Sequence, residues 1–167
     1  MSLQLKDSLT GVYVREFMEE TLAREVARSQ RHERPLSIAL ASIDKLNEIE
    51  KQYGSSVTEQ ILAHGASRIQ LTLRQSDSLI CHWTKGEFLI CLLECDLRGA
   101  LSTLERIKSR ISSEPFHILV HQIPVTICVG IASFRPDVKS ETLIQEALHT
   151  LKQAKETGSN QIRSFNL

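Results

Sequence analysis

The sequence predicts an α/β domain in which helices surround a mixed central β-sheet. Apolar runs of strand length alternate with longer amphipathic segments, which is typical of α/β proteins. Two of these runs, 79–81 and 89–93, are separated by a short segment with a polar centre at residues 84–87. Such spacing predicts a β-hairpin, so at least one strand pair should be antiparallel within a sheet that otherwise alternates with helices.

The first half of the chain predicts three helices and one strand. Residues 11–32 repeat apolar side chains near a helical period, which indicates an amphipathic helix. Leu36–Ile43 is small or apolar throughout, as expected of an interior strand covered on both faces. Residues 44–53 should form a short helix that Gly54 ends, with Ser55 or Ser56 capping the next helix. That next helix should bury the apolar residues Val57, Ile61, Leu62, Ile69 and Leu73.

The second half continues the alternation after the predicted hairpin. Leu97–Ser112 should be a helix that ends before Pro115. Its predicted buried face consists of Leu101, Leu104, Ile107 and Ile111. A strand over Val125–Ala132, a helix over Glu141–Glu156 and a last strand near Gln161–Phe165 complete the predicted elements.

Composition narrows the classes of function. The 167 residues fit one domain, and 20 basic residues balance 20 acidic ones, so no strong field attracts nucleic acid or an anionic membrane. No apolar run approaches the ~20 residues of a membrane span. The four cysteines lack zinc-site spacing and are expected to be buried free thiols, which predicts a cytoplasmic location. The six histidines also lack any metal-ligand spacing.

Several short motifs occur together. The stretch Thr84-Lys85-Gly86-Glu87-Phe88 resembles a degenerate Gly-Gly-Asp/Glu-Glu-Phe turn, and residues 7–12 resemble a D-x-L-T-G-L sequence. Residues 154–160 are similar to A-K-x-x-G-x-N. In their order and spacing, these motifs resemble those of the GGDEF family of diguanylate cyclases. The resemblance implies a nucleotidyl (adenylyl/diguanylate) cyclase-like fold. It also implies that 1–167 is a single GGDEF-like domain, with its core at about 7–165, cut from a larger signalling protein.

The resemblance implies a chemistry that this sequence does not fully support. In the family, two domains of a dimer each present one GTP, and carboxylates hold Mg²⁺ against the phosphates. The family's metal-ligand positions fall on Ser42 and Gly86, so neither a catalytic residue nor a bound metal is expected. Asp44 and Glu87 are candidate substitute ligands. Their alternative roles are a helix N-cap for Asp44 and, for Glu87, a partner of Lys85 or of a nearby backbone group.

The residues that would recognise GTP are also altered. The family's guanine-reading Asn falls on Glu50, which can only accept hydrogen bonds. A phosphate-contacting Lys falls on Asn47 and a phosphate-binding Arg falls on Ser159. Two nucleotide-binding candidates therefore remain in this pocket, namely Glu59 and Lys155.

A second nucleotide site is also implied by the resemblance. Many family members bind cyclic di-GMP at an inhibitory R-x-x-D sequence, for which the candidates are Arg74 and Asp77. An ungapped alignment would place Gln75 and Ser78 there instead, unless a bulge absorbs the shift. Arg106 aligns with a further arginine of that site, and its alternative role is an exposed helix residue without a ligand.

Three functions are consistent with these residues. The first is a catalytically inactive regulatory GGDEF-like domain, which works through other domains of its polypeptide or a partner protein. The second is a cyclic di-GMP receptor that uses the R-x-x-D site. The third is an active cyclase with substitute ligands, and Mg²⁺ is expected as a cofactor only in this case. Cyclic di-GMP, GTP and a second copy of the chain are the remaining candidate partners.

Overall fold

A computed structural model describes residues 4–73 and 78–166 of the chain. The strands are β1 (Tyr13–Val14), β2 (Leu36–Ile43), β3 (Ser78–Thr84), β4 (Glu87–Leu93), β5 (Phe116–Ile118), β6 (His121–Ile123), β7 (Ile127–Ser133) and β8 (Ile162–Ser164). The helices are α1 (Arg15–His32), α2 (Leu46–Tyr53), α3 (Ser55–Leu73), α4 (Leu97–Ser113) and α5 (Ser140–Glu156). None of the helices in the described ranges is long and apolar enough to span a bilayer.

The main sheet is mixed, as the sequence predicts. Its strand order is β1-β3-β4-β2-β7-β8, and β5 pairs only with β6 in a separate ribbon. The three central pairings are antiparallel, whereas β1 pairs with β3 and β7 with β8 in parallel. The hairpin β3–β4 therefore lies beside the central strand β2, and its turn reaches the edge at which β2 ends.

Strand β2 is buried along its whole length because helices cover both faces of the sheet. Alternate side chains of a strand point to opposite faces. Ala39 and Ala41 join the apolar cluster under α3 and α4, whereas Ile38 and Leu40 join the cluster under α1 and α5. The apolar composition of β2 thus reflects two cores rather than one, which confirms the prediction of an interior strand.

Three local features differ from the sequence-based prediction. The residues expected to start the first helix form β1 instead, and α1 begins at Arg15. Helix α2 begins at Leu46, because its N-cap Lys45 has a left-handed backbone with φ of 57°. The ribbon β5–β6 was not predicted, since its strands are only three residues long and its turn residue Leu119 has φ of 55° without Gly or Asn.

The amino-terminal turn, residues 7–12, is held to the sheet by one carboxylate. Oδ2 of Asp7 accepts hydrogen bonds from the backbone N–H (3.0 Å) and the hydroxyl (2.6 Å) of Thr10, and it lies 3.3 Å from Nδ1 of His82 on β3. Burial opposes ionisation, but these bonds and the nearby imidazole outweigh it and lower the pKa of Asp7. The turn is therefore fixed against the strand that leads into the hairpin turn.

Arg68 on α3 forms hydrogen bonds to the end of α4, in addition to the apolar packing between the two helices. The guanidinium of Arg68 on α3 donates to the carbonyl oxygens of Ile111 (3.2 Å), Glu114 (3.0 Å) and Pro115 (3.3 Å) at the end of α4. It also lies 4.0 Å from the centre of the Phe116 ring. Because the last carbonyls of a helix lack partners within the helix, Arg68 supplies donors that the α4 terminus needs.

Candidate functional site

The end of β2 and the hairpin turn meet in space. Ser42 is the register partner of Glu87, and the backbone N–H of Ile43 donates to the carbonyl oxygen of Gly86 at 2.9 Å. The two segments that carry the family's metal-ligand positions therefore lie side by side. Beside them is a cleft of about 540 Å³, called the polar cleft below. It is lined by Ser42, Ile43, Asp44, Lys45, Leu46, Asn47, Glu48, Thr84, Lys85, Gly86, Glu87, Lys155, Gly158 and Ser159.

Gly86 is the residue that lets the hairpin turn close onto α2. Its φ of +82° lies in the left-handed region, which L-residues with a side chain rarely adopt. A Cβ atom at this position would lie 2.6 Å from Cδ2 of Leu46. A side chain on residue 86, including a carboxylate, would therefore require both a strained backbone and a displaced Leu46.

The charged side chains of the hairpin turn are paired with neighbouring helices. Nζ of Lys85 lies 2.5 Å from Oε2 of Glu50 on α2. Glu87 accepts a hydrogen bond from the Thr84 hydroxyl, and its Oε2 lies 3.8 Å from Nζ of Lys155 on α5. The suggested ion pair between Glu87 and Lys85 is therefore wrong, because each residue has a different partner. The turn is bound electrostatically to α2 on one side and to α5 on the other.

Asp44 is a structural acceptor rather than the cap of α2. Its Oδ2 accepts hydrogen bonds from the hydroxyl of Thr126 (2.7 Å) and the backbone N–H of Asn160 (2.8 Å). The N-cap position of α2 belongs to Lys45, so the capping role suggested for Asp44 is wrong. Asp44 thus connects the end of β2 to the loops before β7 and before β8, a role that no local sequence signal reveals.

These residues do not fit a divalent cation of the Mg²⁺ type. Mg²⁺ requires hard oxygen ligands, usually with one or two carboxylates. Ser42 and Gly86 offer no carboxylate, Asp44 accepts two protein hydrogen bonds, and Glu87 contacts Thr84 and Lys155. Within residues 4–73 and 78–166, no three acidic, histidine or cysteine side chains converge to form a metal-binding group.

The remaining nucleotide-binding candidates differ in whether they line the polar cleft. Lys155 lines the polar cleft, as do Asn47 and Ser159 at the altered recognition positions. Glu50 is paired with Lys85 at the hairpin turn. Glu59 is exposed on α3 and is not among the residues that line the cleft. Only one of the two predicted recognition residues therefore lies in the cleft.

A second concavity lies between α3 and α4 and is called the helical groove below. It has a volume of about 600 Å³ and is lined by Thr72, Glu105, Arg106, Ser109, Arg110 and Ser113. Arg106 and Arg110 are four residues apart, so both guanidinium groups project from one side of α4. Glu105 is matched by Lys108, 3.5 Å away. Sequence reasoning named Arg106 but missed Arg110. Arg74 and Asp77 lie outside the described residues.

This chain is similar to many known proteins, among them the following three. The curated diguanylate cyclase DgcP of Pseudomonas aeruginosa is 30% identical over 158 residues, which cover 95% of this chain and 23% of DgcP. The structure of the diguanylate cyclase SiaD from the same species, in complex with its activator SiaC, has a TM-score of 0.92 at 25% identity. That match covers 96% of this chain and 62% of SiaD. The GGDEF domain of DgcB from Caulobacter crescentus, in complex with c-di-GMP, has a TM-score of 0.93 at 19% identity over 100% and 97% of the two chains.

The family assignment rests on the extent of the match. The chain spans only about a quarter to a half of the length of the curated relatives that it matches. The family model described as "Diguanylate cyclase, GGDEF domain" matches residues 4–161, which is nearly the whole sequence. The motif residues at both ends of the chain, the mixed sheet and the hairpin beside β2 agree with that match, and the chain therefore belongs to the GGDEF family.

Proposed function

We propose that this domain is a catalytically inactive GGDEF domain that acts as a regulatory module of cytoplasmic cyclic di-GMP signalling. The observation that carries the proposal is the set of contacts that Asp44, Glu87 and Glu50 make within the protein. Asp44 bonds to Thr126 and Asn160, Glu87 contacts Thr84 and Lys155, and Glu50 is paired with Lys85. Glu50 and Glu87 thus lie next to lysines, and Asp44 is held by two neutral donors, so all three carboxylates already have contacts within the protein.

The requirements of phosphoryl transfer explain why the contacts of these carboxylates bear on catalysis. The reaction requires metal ions that bridge the phosphates and neutralise the developing charge, and the protein contributes mainly by positioning these ions. An ammonium such as that of Lys85 carries a charge but cannot reproduce metal coordination. Loss of the metal's ligands should therefore lower the rate by several orders of magnitude.

Recognition of the guanine base gives a second argument for an inactive domain. A carboxylate at Glu50 can only accept hydrogen bonds, so it would repel the O6 and N7 acceptors of guanine. Its ion pair with Lys85 also holds it at the hairpin turn. A regulatory role through other domains of the same polypeptide, a partner protein or a second copy of the domain requires none of these catalytic groups.

The first prediction concerns turnover. We expect the purified domain, incubated with GTP and Mg²⁺, to form no cyclic di-GMP above a no-enzyme control, as measured by liquid chromatography with mass spectrometry. Turnover that Asp44→Ala or Glu87→Ala abolishes, and that Glu48→Ala retains, would contradict the proposal. It would support the alternative of an active cyclase with substitute ligands, because Glu48 lines the same cleft without being a candidate ligand.

A second candidate function is that of a cyclic di-GMP receptor at the helical groove. The observation that favours it is the pair Arg106 and Arg110 on one wall of that groove. Arginine suits this ligand because its planar fork can pair with phosphate or with guanine and can stack on the base. The receptor would also use Arg74 and Asp77 if their register permits.

The second prediction tests that receptor directly. If the groove binds cyclic di-GMP, Arg106→Ala and Arg74→Ala should each weaken binding by roughly ten- to hundredfold in isothermal titration calorimetry. Arg98→Ala is the matched control, because Arg98 is an exposed arginine of α4 that does not line the groove. Wild-type binding that both test variants retain would exclude this site, and absence of wild-type binding would leave the regulatory proposal alone.

A further inference from the structure

The outer face of α5 forms an apolar concavity beside the hairpin turn, called the α5 groove below. Its volume is about 530 Å³. The side chains that define its character are Leu148, His149, Leu151, Lys152, Lys155 and Glu87. It is separate from the helical groove and shares only Glu87 and Lys155 with the polar cleft.

The apolar character of this groove comes from one exposed leucine above a buried one. Leu148 is 47% exposed, although the inner face of α5 already buries Leu143, Ala147 and Leu151 against the sheet. Leu151 is 1% exposed and forms the floor. A contiguous apolar surface with a polar rim marks a binding site more often than an isolated exposed leucine does.

The groove is held in place by close packing of α5 on the sheet. A Cβ atom on Gly130 of β7 would lie 2.3 Å from the backbone oxygen of Ala147 and 2.3 Å from the backbone nitrogen of Leu151. The helix backbone therefore lies directly against the strand. Because no side chain separates them, the groove has a rigid base on which a partner could bind without reordering the domain.

The charges around the groove identify the chemistry of the partner. Lys152 and Lys155 are cationic and lie at the rim of the groove. The acid of the groove is Glu87, which already contacts Thr84 and Lys155. An apolar floor with a cationic rim complements a surface that presents aliphatic side chains between carboxylates.

We propose that the α5 groove binds an acidic amphipathic helix of a partner protein, in which leucine-like residues insert over Leu148 and Leu151 and carboxylates pair with Lys152 and Lys155. A helix fits because apolar grooves along a helix commonly accept the i, i+3, i+4 and i+7 residues of a partner helix. The inference rests on the proposed regulatory function and names the kind of partner through which it acts.

The position of the groove connects this partner to the hairpin turn. Lys155 lies between the α5 groove and the polar cleft and is 3.8 Å from Glu87. A carboxylate of the bound helix would compete with Glu87 for the same ammonium. Binding would thus change the charge balance at the former catalytic cleft, which gives the partner a direct contact with the most altered part of the domain.

The test uses two synthetic helical peptides that have the same leucine positions and carry either glutamate or lysine between them. Binding to the intact chain is measured by fluorescence polarisation. We expect the acidic peptide to bind at least tenfold more tightly than the basic one. Leu148→Asp should lower its affinity at least tenfold, and Lys152→Glu should lower it severalfold.

Matched variants separate this site from non-specific attraction. Leu71→Asp changes an even more exposed leucine, on α3 (69% exposed), and Lys51→Glu changes an exposed lysine of α2, so neither should affect binding. Thermal unfolding checks that each variant folds. Equal binding of both peptides, no binding of the acidic peptide, or unchanged binding by Leu148→Asp would overturn the proposal. These outcomes are independent of cyclic di-GMP formation, whose detection would instead contradict the proposed function.

Discussion

The scaffold of this domain and the polar cleft that it supports have diverged from the family pattern to different degrees. In the scaffold, the amino-terminal turn keeps Asp7 and Thr10 of the D-x-L-T-G motif, joined by hydrogen bonds of 2.6 and 3.0 Å. In the cleft, the metal-ligand positions are occupied by Ser42 and Gly86. The amino-terminal turn thus matches the family motif at the residues that form its hydrogen bonds, whereas Ser42 and Gly86 do not match the family's carboxylates.

The acids that remain in the cleft refine this comparison. Asp44 forms the same kind of contact as Asp7, since each carboxylate oxygen Oδ2 accepts one hydroxyl and one backbone N–H. An acid beside the family's metal-ligand positions can therefore have a structural role. Presence of an acid alone does not indicate catalysis, and its hydrogen-bond partners decide which role it has.

The largest effect should come from the scaffold at Gly130. In Gly130→Ala the added methyl group would overlap the backbone of α5, so the helix must move away from the sheet. We expect a loss of about 3 kcal/mol or more in the free energy of unfolding, measured by urea denaturation. Gly65→Ala is the matched control, because its Cβ atom would lie 3.6 Å from Ile43 and helix propensity favours alanine by about 1 kcal/mol. Equal destabilisation of both variants would contradict this packing.

Asp7 and Asp44 should have similar, intermediate effects. We expect Asp7→Asn and Asp44→Asn each to lower the free energy of unfolding at pH 7 by about 1–3 kcal/mol, since donors lose a charged acceptor. The folded-state pKa of Asp7 is depressed, so its contribution is present above its unfolded pKa of about 4 and is lost as pH falls through the folded value. Urea denaturation between pH 7 and pH 2 measures this. An Asp44→Asn variant as stable as wild type would break the analogy between the two acids.

The smallest effect should be the coupling between Lys85 and Glu50. Their side chains are 59% and 32% exposed, so solvent screens the pair despite its short distance. A double-mutant cycle with Lys85→Ala and Glu50→Ala should give a coupling of about 0.2–1 kcal/mol that decreases with added salt. A coupling energy that is large and independent of salt would contradict the expectation that solvent screens this ion pair.

Much of the fold was predictable because its signals are local. The apolar run of β2, the helical periods of α1 and α4, and Gly54 at the end of α2 each follow from nearby residues. The ribbon β5–β6 was missed because three-residue strands carry no periodicity, and Leu119 lacks the usual chemistry of a turn with positive φ.

The sequence predicted which residues occupy the site, but not which hydrogen bonds and ion pairs they form. Sequence reasoning identified the missing carboxylates at Ser42 and Gly86, which the register of β2 and β4 brings together. It could not identify the partners of Asp44 or Glu87. Thr126 and Asn160 for Asp44, and Lys155 for Glu87, lie more than 60 residues away in the sequence, and only tertiary structure determines which of many polar residues meet.

The arginine that joins α3 to α4 has a consequence for any ligand of the helical groove. Arg68 fixes the end of α4 through Ile111, Glu114 and Pro115, and the walls of the groove belong to these same two helices. The separation of Thr72 from Arg110 is therefore set before a ligand arrives. A molecule that fits this spacing would bind a preorganised site and lose little free energy to ordering, whereas a molecule of another width would have to break the contacts of Arg68 first.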